Sequence, residues 1–371
     1  MCWLHIGRRK LTDLTLTDLT VIEPTMTELS GFTASGGRAG ARVLSLGIVG
    51  AGEIVSRIHL PVLSACEGIR IAYVADKNPE VARSVAGSYE VAPVTVADNL
   101  DMLPQTDVTL LAVPVTARLP YYELFAKRGT CVLAEKPLAI GWAEAKLLCG
   151  LYPEYSLACG FQRRSYGSVA LARLLVAENW FGRLRSISIS EGALTTKTGA
   201  DSRFYDDAAS GGGGVLMDLG CHSLDLAIYI TNATEAIPLE QRFVFDGEVD
   251  REIDAHLTLH TAHGSCELDC LVTWLRPARN TIELRFENCT VEVSCRPSHD
   301  VEIRGVQNGR DVASLTKKRA GAATMYQAFY LEWMAFLDGV RSRQASKFNA
   351  RSCLPTIRAV EALYEAGKRN P

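Results

Sequence analysis

Long apolar runs are missing from this sequence. No stretch of the 371 residues stays apolar over the roughly 18 positions that a membrane-spanning helix needs. The N-terminus lacks the apolar block of a secretory signal, Trp3-Leu4-His5-Ile6 being too short to serve. A basic excess is missing as well. With 39 Lys and Arg against 42 Asp and Glu the net charge is −3, which argues against an electrostatic nucleic-acid binder. Neither membrane nor nucleic acid is therefore an expected partner, and small molecules are favoured. There is no C-x-x-C pair among the 11 cysteines, an odd number scattered from Cys2 to Cys353. That excludes a disulfide framework or zinc ribbon and points to reduced core thiols in a cytoplasmic protein. His256, His260 and His263 superficially have ligand spacing. On a strand the first two stand about 13 Å apart, too far to share an ion, so no metal is expected.

What is present is length for two domains. Residues 1–41 read as an N-terminal extension outside the fold: a near repeat at Leu11-Thr-Asp-Leu-Thr and Leu16-Thr-Asp-Leu-Thr, then a glycine-rich linker, with disorder expected. Residues 42–160 alternate short apolar runs with helical patterns, which predicts a doubly wound parallel sheet, a Rossmann domain. It opens with the strand Val43 to Val49, the turn Gly50-Ala51-Gly52, and a helix beginning near Glu53, Ile54 and Val55. Gly50 permits the tight turn. Gly52 lets backbone N–H groups approach a pyrophosphate at the helix N-terminus, where the dipole favours anions. The sixth position of the fingerprint is Val55 instead of glycine or alanine, which should push helix and strand slightly apart. A second strand ends at Asp76, close to the spacing at which an acid takes the ribose hydroxyls of NAD. A helix N-cap before Asn78-Pro79 is the competing role for Asp76. Lys77 beside it tolerates a 2′-phosphate, so the cofactor is NAD or NADP with NAD favoured. Two further strands end at Pro114, placed to line the nicotinamide pocket, and at Glu135-Lys136-Pro137, where a lysine on a stiff stem meets the ligand crevice.

From residue 161 the pattern changes. Strand follows strand between Leu239 and Leu315 without helices between, which predicts an α+β domain over 161–350 with a large, mainly antiparallel open-faced sheet. Residues 351–371 are read as a C-terminal helix packing back on the first domain. Four glycines, 211–214, precede Asp218, Cys221, His222 and Asp225 on a predicted helix. Such glycines let backbone approach a ligand closely. Asp218 and His222, at i and i+4, share a face, and Asp225 stands close enough to orient the imidazole. A histidine among carboxylates suits acid–base work near neutral pH. Cys221 reads as a helix-buried thiol.

The set Gly50-Ala-Gly52, Glu135-Lys136-Pro137, Gly160-Phe-Gln-Arg-Arg164 and Gly212-Gly-x-x-x-x-Asp218-x-Gly220-x-His222-x-x-Asp225 resembles the Gfo/Idh/MocA family of NAD(P)-dependent oxidoreductases, over roughly residues 43 to 370. The resemblance implies hydride transfer at a carbinol or carbonyl of a sugar, nucleotide sugar or cyclitol, and a homodimer or homotetramer formed through the open sheet. Lys136 would polarise the substrate oxygen, His222 would exchange its proton, and Asp218 would hold the lysine or substrate hydroxyls. Gln162, Arg163, Arg164 and Tyr205 are the further substrate-binding candidates, the two arginines being suited to grip a carboxylate or phosphate or, equally, a buried helix end. Many relatives carry a histidine just after the strand ending at Pro114, where this chain has Arg118-Leu119-Pro120. Two other activities fit the same scaffold: an NAD-dependent glycosidase using transient oxidation, and a non-catalytic dinucleotide sensor.

Overall fold

The computed structural model describes residues 42–96, 99–194, 213–305, 313–316 and 321–369. The extension 1–41, the loop holding Tyr205, and Gly211 and Gly212 lie outside them. The first sheet holds β1 (Leu44–Val49), β2 (Ile69–Asp76), β3 (Ala92–Thr95), β4 (Val108–Leu111), β5 (Cys131–Ala134) and β6 (Leu157–Cys159), all parallel in the order β3-β2-β1-β4-β5-β6. Every residue of β4 and β5 is buried, as expected when helices cover both faces of a parallel sheet. Those helices include α1 (Leu60–Ser64), α2 (Pro79–Gly87), α3 (Leu119–Arg128) and α4 (Trp142–Leu151). The strand order reverses beside β1, between β2 and β4, and that switch point opens the ligand crevice at the strands' carboxyl ends.

After a 3₁₀ turn at Gln162–Ser165 and α5 (Gly167–Ala177) comes the second sheet. Its strands are β7 (Leu184–Gly192), β8 (Glu235–Asp246), β9 (Val249–Thr261), β10 (Gly264–Thr273), β11 (Thr281–Phe286), β12 (Cys289–Ser294), β13 (Asp300–Gly305) and β14 (Ala313–Thr316). Their order is β14-β13-β12-β11-β7-β10-β9-β8. All pairs are antiparallel except β7 with β10, so the sheet is mixed. The period-2 pattern buries Ile187, Ile189, Leu268, Cys270, Ile282 and Leu284 on one face. Against that face lies α6 (Cys221–Thr231), entered through a π turn at Leu216–Gly220.

Two C-terminal helices close the molecule, α7 (Met325–Ser342) and α8 (Leu354–Arg369). The return to the first domain is made chiefly by α7, whose Phe329, Trp333, Phe336 and Leu337 join Leu46, Ile48, Val108 and Leu110 in one core. The later helix α8 packs mainly on β8 and α6 and meets the first domain at α4, where Glu361 accepts from the Trp142 amide. Periodicity marks α8 as amphipathic without saying which apolar surface it covers.

Candidate active site

The glycine turn is set by backbone proximity. Gly50 has φ +93°, and a Cβ there would lie 2.7 Å from the Ala112 backbone. Over Gly52 there is open space. Asp76 ties the turn to β2: its carboxylate accepts from the Ala51 and Asn78 amides, each at 2.8 Å. The N-cap of α2 is Asn78, whose side chain accepts from Glu80 N, so Asp76 is not the cap. Among the described residues the amides of Gly52, Glu53 and Ile54 have no acceptor, the orphan donors a helix N-terminus offers an anion. This cradle fits a dinucleotide pyrophosphate, and Asp76 keeps lone pairs for ribose hydroxyls. Lys77 and Pro114 stand exposed on either side. Val55 is fully buried and begins a π turn, Val55–His59; this wider winding starts where a residue bulkier than glycine enters the core.

A buried polar chain runs from that helix to the lysine. Trp333 Nε1 donates to His59 Nδ1 at 3.0 Å, which leaves His59 Nε2 to donate to Glu135 Oε1 at 2.7 Å. Burial opposes ionisation of Glu135, but the His59 hydrogen bond and the cations around it hold its carboxyl below the usual range. Arg118, buried, donates to the carbonyls of Val113, Pro137 and Glu135. The residue standing in place of the family's histidine therefore fastens the Glu135–Pro137 turn. Neither His59 nor Arg118 was singled out for this from the sequence; a histidine inside the apolar run Ile58-His59-Leu60 was the available signal.

Lys136 reaches across to the second domain. Its Nζ donates to Asp218 Oδ1 at 2.6 Å and to the Asp218 carbonyl at 2.8 Å. Burial works against the ammonium, yet Asp218 outweighs it and keeps its pKa above the ordinary lysine value. His222 is 5% exposed and meets Phe161 edge-on at 5.7 Å. Burial, then the charges of Arg163 and Lys136, drive its pKa well below 6.5, so the imidazole is neutral. Its Nδ1 is buried and has no partner among the described residues. Cys221 is a buried thiol pushed up to about 12.

Three expectations are corrected here. Asp225 does not orient His222, because it is bound by Arg164 Nε at 2.8 Å and by Thr356. Arg164 is 1% exposed and Arg163 holds both oxygens of buried Glu191 at 2.8 Å. The basic pair is thus taken up by buried ion pairs, where each guanidinium offsets a carboxylate with which it left water. Gln162 is buried beside them. At Gly214 the close approach is to Asp250: that carboxylate accepts from the amides of Gly214 and Leu216, each at 2.7 Å, and from the Tyr364 hydroxyl. A Cβ on Gly214 would lie 2.1 Å from the Asp250 carbonyl oxygen. His256 spends its ring on Asp269 and Glu267 across the sheet.

A model described as "Oxidoreductase family, NAD-binding Rossmann fold" matches residues 44–161, and the GFO/IDH/MocA C-terminal domain matches residues 169–292. A dTDP-3,4-didehydro-2,6-dideoxy-alpha-D-glucose 3-reductase of Streptomyces violaceoruber is 30% identical over 188 residues, 50% of this chain and 54% of the reductase. The chain thus spans about half the length of that relative. A UDP-N-acetylglucosamine 3-dehydrogenase of Acidithiobacillus ferrooxidans is 25% identical over 86% of this chain and 98% of its own. Among solved structures, a 3-ketoreductase from Actinomadura kijaniata in complex with TDP-benzene and NADP superposes with TM-score 0.73 at 20% identity, over 87% of this chain and 97% of that one. The two family models follow one another along the chain and take in both domains: it belongs to the Gfo/Idh/MocA family of oxidoreductases.

Proposed function

We propose that this protein moves a hydride between a nicotinamide cofactor, NAD or NADP, and a secondary alcohol or ketone of a sugar, nucleotide sugar or cyclitol. The observation that carries the reading is geometric: Lys136 is held by Asp218 Oδ1 at 2.6 Å, and buried His222 stands one helical turn beyond that aspartate. When bound, the nicotinamide supplies the two-electron acceptor or donor. Neutral His222 accepts the hydroxyl proton as the carbinol is oxidised, and Lys136 stabilises the charge that develops on the oxygen. Asp218 keeps the ammonium aimed. The relatives named for 3-reductase and 3-dehydrogenase activity on nucleotide sugars support that substrate class.

The test is nicotinamide absorbance with NAD or NADP and a panel of sugars, cyclitols and nucleotide sugars, with released aglycone assayed in parallel. Lys136→Ala and His222→Ala are expected to lower turnover by about 10²–10⁴-fold while cofactor affinity stays near that of the parent. Parent-like turnover in both variants would refute the roles. Aglycone release without net cofactor reduction would move the assignment to a glycosidase.

A further inference from the structure

At the end of α6 remote from His222, a cavity of about 490 Å³ opens between α5, α6, the 3₁₀ turn Ala350–Cys353 and the first turn of α8. Tyr229 and Asn232, on its wall, lie seven and ten residues beyond His222, roughly 10–15 Å along the helix axis. Between the two ends the buried group Arg164, Asp225 and Thr356, each 1% exposed, closes the way. The volume is in the range of small-molecule pockets.

The wall is cationic. It carries Arg164, Arg173, Lys347, Arg351 and Arg358, and no aspartate or glutamate among the described residues. Arg164 is neutralised by Asp225, and Arg351 by Glu154 at 3.0 Å. The other three have no carboxylate partner among the described residues. Arg173 is held over the Tyr229 ring at 4.4 Å and donates to the Tyr229 carbonyl and to Asn232. Arg358 lies over Trp142 at 5.2 Å. Lys347 donates to the Arg164 carbonyl at 3.2 Å. Ring stacking fixes a guanidinium in place while its edge N–H groups stay available, the arrangement in which arginine recognises a phosphoryl group. The α8 N-terminus faces the same space through Leu354 and Pro355 and adds a favourable field for an anion. Lys347, although open to solvent, is pushed down to about 8 by lost hydration and by Arg164, with Arg173 adding to the effect and Glu332 opposing it.

We propose that this cavity binds a small phosphorylated molecule, through Arg173, Lys347 and Arg358, at a site separate from the cofactor and catalytic residues. The site is legible as a juxtaposition only: its three cations come from α5, the segment after α7, and α8.

The test is calorimetric titration of the full chain at low salt with pyrophosphate as the probe. The parent protein is expected to bind it saturably, and Lys347→Gln/Arg358→Gln about tenfold or more weakly, since each charge-assisted hydrogen bond lost costs that order of affinity. Both residues are exposed, and unchanged melting temperature in the absence of the probe checks that the variant folds. Gly52→Glu, which places a carboxylate in the open space over the glycine turn, is expected to leave this binding intact. Three results would each overturn the proposal: no saturable heat in the parent, equal affinity in the double variant, or binding lost only in Gly52→Glu, which would put the anion on the cofactor turn.

Discussion

His222 differs from an ordinary histidine in what surrounds it. Burial and two nearby cations depress its pKa well below 6.5, so its proton is taken up only in acid. For alcohol oxidation kcat/KM is therefore expected to stay level from about pH 8 down past 6.5 and to fall only below that. A pH–rate profile checks this, and an acid limb at or above 6.5 contradicts it. Glu332 shows the opposite case. Fully buried, with neither carboxyl oxygen partnered among the described residues, its pKa is raised well above 4.5, first by desolvation and then by Glu135. The folded state keeps a proton that the unfolded chain releases. Its contribution to stability is thus full below the unfolded pKa, about 4.3, and is lost as pH rises toward the folded one. Glu332→Gln, which cannot ionise, is expected to raise the melting temperature relative to the parent more at about pH 8 than at about pH 4.5, by thermal denaturation at both.

At the scale of elements, the turn that presents Lys136 owes its shape to a neighbouring helix. Arg118, at the start of α3, supplies donors to three carbonyls from two strand ends. Arg118→Leu would leave those acceptors unpaired in a buried place, at a cost on the order of 3 kcal/mol. Urea denaturation measures that loss. Turnover is expected to fall more than NAD affinity, because Lys136 lies between two of the carbonyls while Gly50 and Gly52 do not depend on Arg118. The Arg118-Leu119-Pro120 stretch was legible as a departure from the family pattern. Its role was not, since Val113, Glu135 and Pro137 meet only when β4 and β5 lie side by side.

Across the whole molecule the two sheets meet solvent differently. The first is covered on both faces. The second leaves one face open, and its register aligns Ser188 with Glu283 and Asp269, while His256 lies opposite Asp269. That face is mostly serine, threonine and charged side chains, with Leu271 and Ile237 among them. A homodimer or homotetramer formed through it, as the family resemblance implies, would join polar surfaces, and screening should loosen it. Light scattering is expected to give a larger mass at about 0.1 M salt than at about 1 M, with Asp269→Lys shifting the balance to the monomer. A multimer indifferent to both would use another surface.

The sequence by itself determined the alternation of strands and helices, the glycine turn, the lysine at the end of β5 and the histidine on α6. Each is a local pattern of period, turn residue or spacing, readable without knowing what lies opposite. Only the tertiary structure decided the partners. The family resemblance left Asp218 to hold either Lys136 or substrate hydroxyls, and the fold joins it to the lysine across 82 positions. Arg164 takes Asp225 from His222, and Asp250 reaches back to hold the amides of Gly214 and Leu216. The physical reason is that a buried charge or unpaired amide is satisfied by whichever group the packed chain brings within about 3 Å. That proximity is a property of the assembled layers, and no spacing along the chain encodes it.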